Sequence, residues 1–276
     1  MAEISHFEYG WITPAVGYAL SVIGSLLGLV CAGRIRGAAG GRQRAWWVIL
    51  AAWALGGTAI WTMHFMAMLG FAVRGTQIRY DVPITVASAV IAVVAVGIGL
   101  IVATTGRAGA ARLIGGGIIT GLGVAAMHYT GMAAMHLHGT IGYDPVLVVA
   151  SVLIAVVAAT VALWLGVTVR RPVVLFGSAL VMGVAISGMH YTGMAGMSVT
   201  PSRTPGALAG ATVSSLLVPI LLAVIFVVIG LVYALLVAPT EQDRRAAAYF
   251  DSLTPQQPAP AEAVSRPGRR RAGDRG

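Results

Sequence analysis

Stretches of about 20 apolar residues recur seven times in this 276-residue chain, near 11–32, 45–71, 82–104, 113–136, 145–168, 172–198 and 211–237. An α-helix of that length crosses a hydrocarbon core of about 30 Å. Inside that core no water can take up a backbone N–H or C=O, so each segment must satisfy its own hydrogen bonds, and a helix does this. Only 10% of the residues are charged, against roughly 25% in soluble domains. The expected architecture is an all-α integral membrane protein of seven transmembrane helices. Trp11, Trp46, Trp47, Phe71, Tyr80, Tyr143 and Tyr233 fall near the ends of the runs, where aromatic side chains settle at the interface.

The cations orient the bundle. All 18 basic residues are Arg. Fifteen of them lie in the first, third and fifth connections and the C-terminal stretch: Arg34, Arg36, Arg42, Arg44, Arg107, Arg112, Arg170, Arg171, Arg244, Arg245, Arg266, Arg269, Arg270, Arg271 and Arg275. The other side has Arg74, Arg79 and Arg203. By the positive-inside rule the N-terminus is outside and the C-terminus cytoplasmic, as an odd number of spans requires. The net charge of +9 is thus spent on topology and is not a basic surface stripe, so nucleic acid is not an expected partner. The lone Cys31 excludes an internal disulfide and reads as a small buried hydrophobe. Three regions follow: an extracytoplasmic stretch 1–10, a membrane domain 11–237, and an Arg/Pro-rich cytoplasmic tail 238–276 that reads as disordered. Without a basic n-region or a cleavage site, the first run is expected to be a retained helix. The expected location is the bacterial cytoplasmic membrane, with the lipid bilayer as the main partner.

The second, fourth and sixth runs each contain a Met-His pair: Met63-His64, Met127-His128 and Met189-His190. Residues 121–135 and 183–197 match at 9 of 15 positions, and both contain MHYTGM; the first copy reads MHFMAM at 63–68. The first two outer loops end alike, in Tyr80-Asp81 and Tyr143-Asp144, while the third, around TPSRTPG, does not. Each unit is an outward span, a short outer loop and a return span. Three parallel two-helix repeats plus one extra first helix make seven, related by an axis along the membrane normal. The three histidines lie seven to nine residues before the outer ends of their runs, about 10–14 Å deep at 1.5 Å per residue. They form one layer and can meet if the repeats close around the axis.

Intramembrane ionisable residues face the bundle interior and mark function more often than structure. Met68, Met132 and Met194 each follow a His by four residues, which puts His and Met on one helix face. Met63, Met127 and Met189 lie about 100° round the helix and line the flank. Met135 and Met197 are expected to continue the His face one turn further out. Tyr129 and Tyr191 sit beside their His and either line the site or pack between helices; Phe65 replaces them in the first copy. Thioether with imidazole suits copper. Zinc prefers Cys, His and carboxylate, and haem, with its His and Met axial ligands, is the rival. Asp81 and Asp144 read as helix N-caps. No nucleophile–base pair or carboxylate pair occurs within the spans, so binding rather than catalysis is expected.

MHYTGM at 127–132 and 189–194, with MHFMAM at 63–68 in the second of seven runs, resembles the MHYT family of bacterial integral membrane sensors over roughly residues 10–237. The resemblance implies a metal, copper, held near the outer face by His64, His128 and His190 with their flanking methionines, and sensing of oxygen, carbon monoxide, nitric oxide or redox state. Relatives of this kind carry a cytoplasmic output domain after the last span; here the output is expected from a separate cytoplasmic signalling partner. A copper transporter, a copper-handling accessory protein and a haem-binding membrane protein are the alternatives.

Overall fold

The computed structural model describes residues 3–106, 109–202 and 207–238, together with 246 and 249. The tail assigned to 238–276 lies almost wholly outside the described residues, as do Arg107, Arg203 and every tail arginine. Seven helices are long and apolar enough to cross a membrane. The first span is α1 (Ile12–Ile35). The second is built from α2 (Gly41–Ala52), a π-helical stretch (Trp53–Trp61) and α3 (Thr62–Leu69). Then follow α4 (Val82–Thr104), α5 (Ala110–Ala133), α6 (Pro145–Thr168), α7 (Pro172–Ala195) and α8 (Val213–Val237).

The motif helices α3, α5 and α7 stand together in the middle. α4 packs between the second span and α5, α6 between α5 and α7, and α1 between α7 and the second span. The third groove is therefore filled by the first helix. α8, the return helix of the third repeat, lies outside and packs its outer half against Phe65, Met66 and Leu69. Of the apolar windows of α1 and α8, 50% and 11% are buried. Side-chain size explains the choice. α1 buries a stripe of Gly17, Ser21, Gly24, Ser25 and Gly28, and small residues let membrane helices approach closely. A Cβ on Gly24 would come within 2.5 Å of the Ala59 nitrogen. The α8 face offers bulky aliphatics, and its Gly230 has open space around it.

Each motif helix ends five residues after its histidine, at Leu69, Ala133 and Ala195, so the layer is about 8 Å from the helix ends and shallower than the apolar runs suggest. The reason is an outer β layer. β1 (Ile4–Ser5) pairs with β2 (Ala72–Val73), β3 (Arg79–Tyr80) with β4 (Met135–His136), and β5 (Gly139–Tyr143) with β6 (Met197–Pro201), all antiparallel. Met135 and Met197 thus stand on strands, a correction to the extra helical turn expected for them. The stitching repeats around the axis. The carbonyls of Gly70, Ala134 and Gly196, just past the three helix ends, accept from the backbone N–H of Glu8, Asp81 and Asp144 at 2.9, 2.8 and 2.8 Å. The segment before α1 therefore stands in for an outer loop, consistent with α1 taking the third groove. Asp81 and Asp144 cap α4 and α6 as expected: Asp81 Oδ1 accepts from the Ile84 N–H at 2.9 Å, and Asp144 Oδ1 from the Val146 N–H at 2.8 Å.

On the cytoplasmic side, arginines cover the carbonyls that helix ends leave unbonded. Arg36 and Arg44 donate to Ala103 and Thr104 at the end of α4. Arg170 donates to Val169 and Val167 at the end of α6, at 3.0 and 3.2 Å.

Candidate metal centre

The three motif helices bring His64, His128 and His190 to one point. The rings are 3, 1 and 2% exposed. Nδ1 of His64 lies 3.0 Å from Nδ1 of His190 and 3.2 Å from Nδ1 of His128. The ring centroids are 5.0, 5.0 and 5.1 Å apart, with interplanar angles of 75, 73 and 89°. The three therefore form a propeller with one nitrogen of each at its hub.

Glycines hold the rings from behind. A Cβ on Gly193 would come within 2.5 Å of His128 Nε2, and one on Gly131 would collide with His64 Nε2. Each of these glycines is the residue three after the histidine of the next repeat, the G of MHYTGM. With Nε2 pinned against backbone, Nδ1 is the atom turned to the hub. The first copy has Ala67 at this position.

Neutral imidazoles cannot satisfy this hub by hydrogen bonding alone. Each Nδ1 carries either one proton or one lone pair, so His64 Nδ1 cannot bond both neighbours at once. His128 Nε2 is buried without a partner as well. Three lone pairs converging on one point suit a cation. Nitrogens bound at about 2.0–2.1 Å to one tetrahedral ion lie about 3.3 Å from each other, close to the spacing seen here. The donor set fits a metal ion. The three histidines are the one group of metal-ligating His, Cys, Asp or Glu side chains found among the described residues.

The methionines form two tiers. Met68, Met132 and Met194, at 1, 0 and 2% exposure, make a dense cluster outside the layer with Met135 and Met197 from the strands, under Phe71, Tyr80 and Val199. Tyr80 ties this cover down: its hydroxyl donates to the Met68 carbonyl at 3.2 Å, and its backbone pairs with Ala211. Met63, Met127 and Met189 instead line, with the three histidines, a cavity of about 60 Å³ on the cytoplasmic side. Met66 turns away toward α8.

The tyrosines flank the hub without entering it. Tyr129 lies edge-on to His128 with centroids 4.8 Å apart, and its hydroxyl pairs with Ser151 on α6 at 2.8 Å. Tyr191 lies edge-on to His190 at 5.0 Å, and its hydroxyl is buried without a partner. At the outer rim, His136 Nδ1 donates to the Ala209 carbonyl at 3.1 Å. Sequence reasoning missed two things: the ring-backing role of Gly131 and Gly193, and the part of α6 in the cavity wall. The first left a signal, a glycine at the same offset from both histidines. The second left none, because a run of alanines and valines looks like any lipid-facing span.

Comparison with known proteins gives the same repeat. The MHYT family, described as the bacterial signalling protein N-terminal repeat, matches three times, over residues 57–116, 121–178 and 183–250. Each match begins within a motif-bearing span, seven residues before its histidine. The bifunctional diguanylate cyclase/cyclic di-GMP phosphodiesterase MucR of Pseudomonas aeruginosa is 40% identical over 193 residues, 68% of this chain and 28% of that protein. The cyclic di-GMP phosphodiesterase NbdA of the same organism is 42% identical over 158 residues, 55% of this chain and 20% of that protein. The signaling protein YkoW of Bacillus subtilis is 32% identical over 154 residues, 51% and 19% of the two chains. The chain thus spans less than a third of the length of these relatives. No solved structure matches it. Three family repeats, seven membrane-spanning helices and signalling relatives together make this chain a member of the MHYT family of multi-pass bacterial membrane signalling proteins.

Proposed function

We propose that the histidine layer holds a single copper ion and that the domain senses a small gaseous ligand or redox state through it. The observation that carries this reading is the convergence of three buried imidazoles, with His64 Nδ1 3.0 and 3.2 Å from Nδ1 of His190 and His128 and no carboxylate among them. In this reading His64, His128 and His190 bind the ion, and the outer tier of Met68, Met132 and Met194 supplies thioether. Imidazole accepts both copper oxidation states and thioether favours Cu(I); a bound copper would supply an open-shell or soft centre for oxygen, carbon monoxide or nitric oxide. The protein's part is to fix three nitrogens, exclude water and couple three helices. A shift of the layer would move α3, α5 and α7 relative to one another, and their cytoplasmic ends would report it. The listener we infer is a cyclic-di-GMP enzyme, on the same or a separate polypeptide, from the names of the relatives.

Two rival readings receive less support. Nδ1 atoms 3.0 Å apart leave no room for a porphyrin between two rings, which disfavours haem. A transporter needs donors leading inward, and below the inner methionines the walls are mainly Val, Ala and Leu.

Metal analysis with spectroscopy on protein purified in detergent tests the reading. About one copper per chain is expected, without a Soret band, and none in the His128→Ala/His190→Ala variant. Protein that takes up no copper, or a double variant that binds it as well as the original, sinks the reading.

A further inference from the structure

The cavity beneath the histidine layer has properties that the metal alone does not require. At about 60 Å³ it exceeds several times over the roughly 10–15 Å³ that one water needs. It extends from the rings down to Thr120 and Met182, eight residues below their histidines, or about 12 Å. Apart from the rings, its walls are Met, Leu, Ile, Val and Ala with one threonine. That hydroxyl lies beside Gly99 on α4 and is buried without a hydrogen-bond partner, so it is a single polar point in an otherwise apolar wall. Cavities of this kind stay dry and take small apolar guests.

Its walls also say where a guest enters. Toward the outside stands the buried methionine cluster, where the space beside His64 and Met68 is only about 10 Å³. Of the lining residues, all are fully buried except Ala158 and Ala162 on α6 and Ala185 and Ile186 on α7, which are half-buried. These four stand on α6 and α7, which pack against each other, and are the more exposed part of the cavity wall. Three of them are alanines, the smallest side chains that a helix readily accepts.

We propose that this cavity is the ligand chamber of the domain: a neutral, apolar molecule of two or three heavy atoms partitions into the bilayer, passes the alanine seam between α6 and α7, and binds under the histidine rings from the cytoplasmic side. Water-soluble and charged ligands are excluded by the lining. The proposal deepens the sensing reading and rests on it for the purpose of the ligand, but the chamber exists without a metal and can be tested without one.

The probe is xenon. Metal-free protein in detergent, examined by ¹²⁹Xe NMR or in a xenon-pressurised crystal, is expected to hold one xenon beneath the rings. The Ala158→Leu/Ala162→Leu variant is expected to lose it, while Val157→Leu, on the exposed lipid face of the same helix, keeps it. In copper-loaded protein the same double variant is expected to bind carbon monoxide at least tenfold more slowly with copper content unchanged. Absence of xenon in the unmodified protein overturns the chamber whatever the metal result. Xenon bound under the rings of a protein that takes up no copper leaves the chamber standing and removes the metal reading. Unchanged carbon monoxide kinetics in a folded, copper-loaded double variant overturns the seam as the route.

Discussion

The two faces of the histidine layer are built from the same residue type and behave oppositely. Outward, five methionines pack into one buried cluster roofed by strands from three loops, with a pocket of only about 10 Å³ beside Met68. Inward, three methionines one residue before the histidines border an empty chamber. The helices are the same; what differs is what the chain does next. Outside, each helix is followed by a small residue, Gly70, Ala134 or Gly196, and the backbone folds back over its own end. Inside, the helices continue side by side, and small residues on α6 fail to fill the space between them. A methionine is therefore part of a packed cluster on one face and of a cavity wall on the other, and substitutions should separate the two environments.

The largest effect is expected between the faces, at the glycines behind the rings. Gly131→Ala or Gly193→Ala puts a methyl on Nε2 of His64 or His128 and should weaken copper binding at least tenfold and lower thermal stability. Gly177→Ala, where nothing lies within 4 Å, should change neither. Copper titration and thermal unfolding in detergent measure both. Equal behaviour of the three variants removes the ring-backing role.

Next comes the contrast itself. Met132→Ala in the packed outer tier should cost about 3 kcal/mol, and Met182→Ala beside the existing chamber about half of that, because a cavity next to a cavity loses fewer contacts. Equal losses by chemical unfolding would erase the distinction between the faces.

The outer roof should respond to smaller changes. Tyr80→Phe removes the hydroxyl from the Met68 carbonyl and should cost about 1 kcal/mol. Burial pushes the Tyr80 phenol up from its ordinary value. A group whose folded pKa is raised stabilises fully below its unfolded value, about 10, and loses that contribution as pH rises beyond it. The unfolding midpoint should therefore fall above about pH 10, less steeply in Tyr80→Phe. Of similar size, Asp144→Ala removes the α6 N-cap and should cost about 1 kcal/mol with copper binding unchanged.

Much of this was legible in residues alone. Seven runs became seven spanning helices, and three Met-His pairs at matched spacing became three histidines in one layer. Asp81 and Asp144 became the caps that their place before Pro-containing helix starts suggested. The π-helical stretch before the first motif left no mark, because Trp53–Trp61 has the composition of any apolar helix. Periodicity carries Met135 and Met197 on as a further helical turn. The structure makes them strands, because Asp81 and Asp144 from the preceding loops take the carbonyls of Ala134 and Gly196, where the helices stop. Short strands of two to five residues fall below what alternation in a sequence can signal.

The sequence by itself determined the compartment, the number and direction of the spans, and the common depth of three histidines, since lipid permits only internally bonded helices and a repeated offset from the helix end places all three in one layer. Three matters were left to the tertiary structure. In His64 and His128, Nδ1 rather than Nε2 reaches the hub because glycine backbone lies behind the ring. α1 rather than α8 closes the third groove because its small-residue stripe permits close approach. The chamber beneath the layer is about 60 Å³, while the space beside Met68 on the outer side is only about 10 Å³. Each depends on how far apart neighbouring helices come to rest, and that distance is set by side chains from several helices at once, which no single run of residues contains.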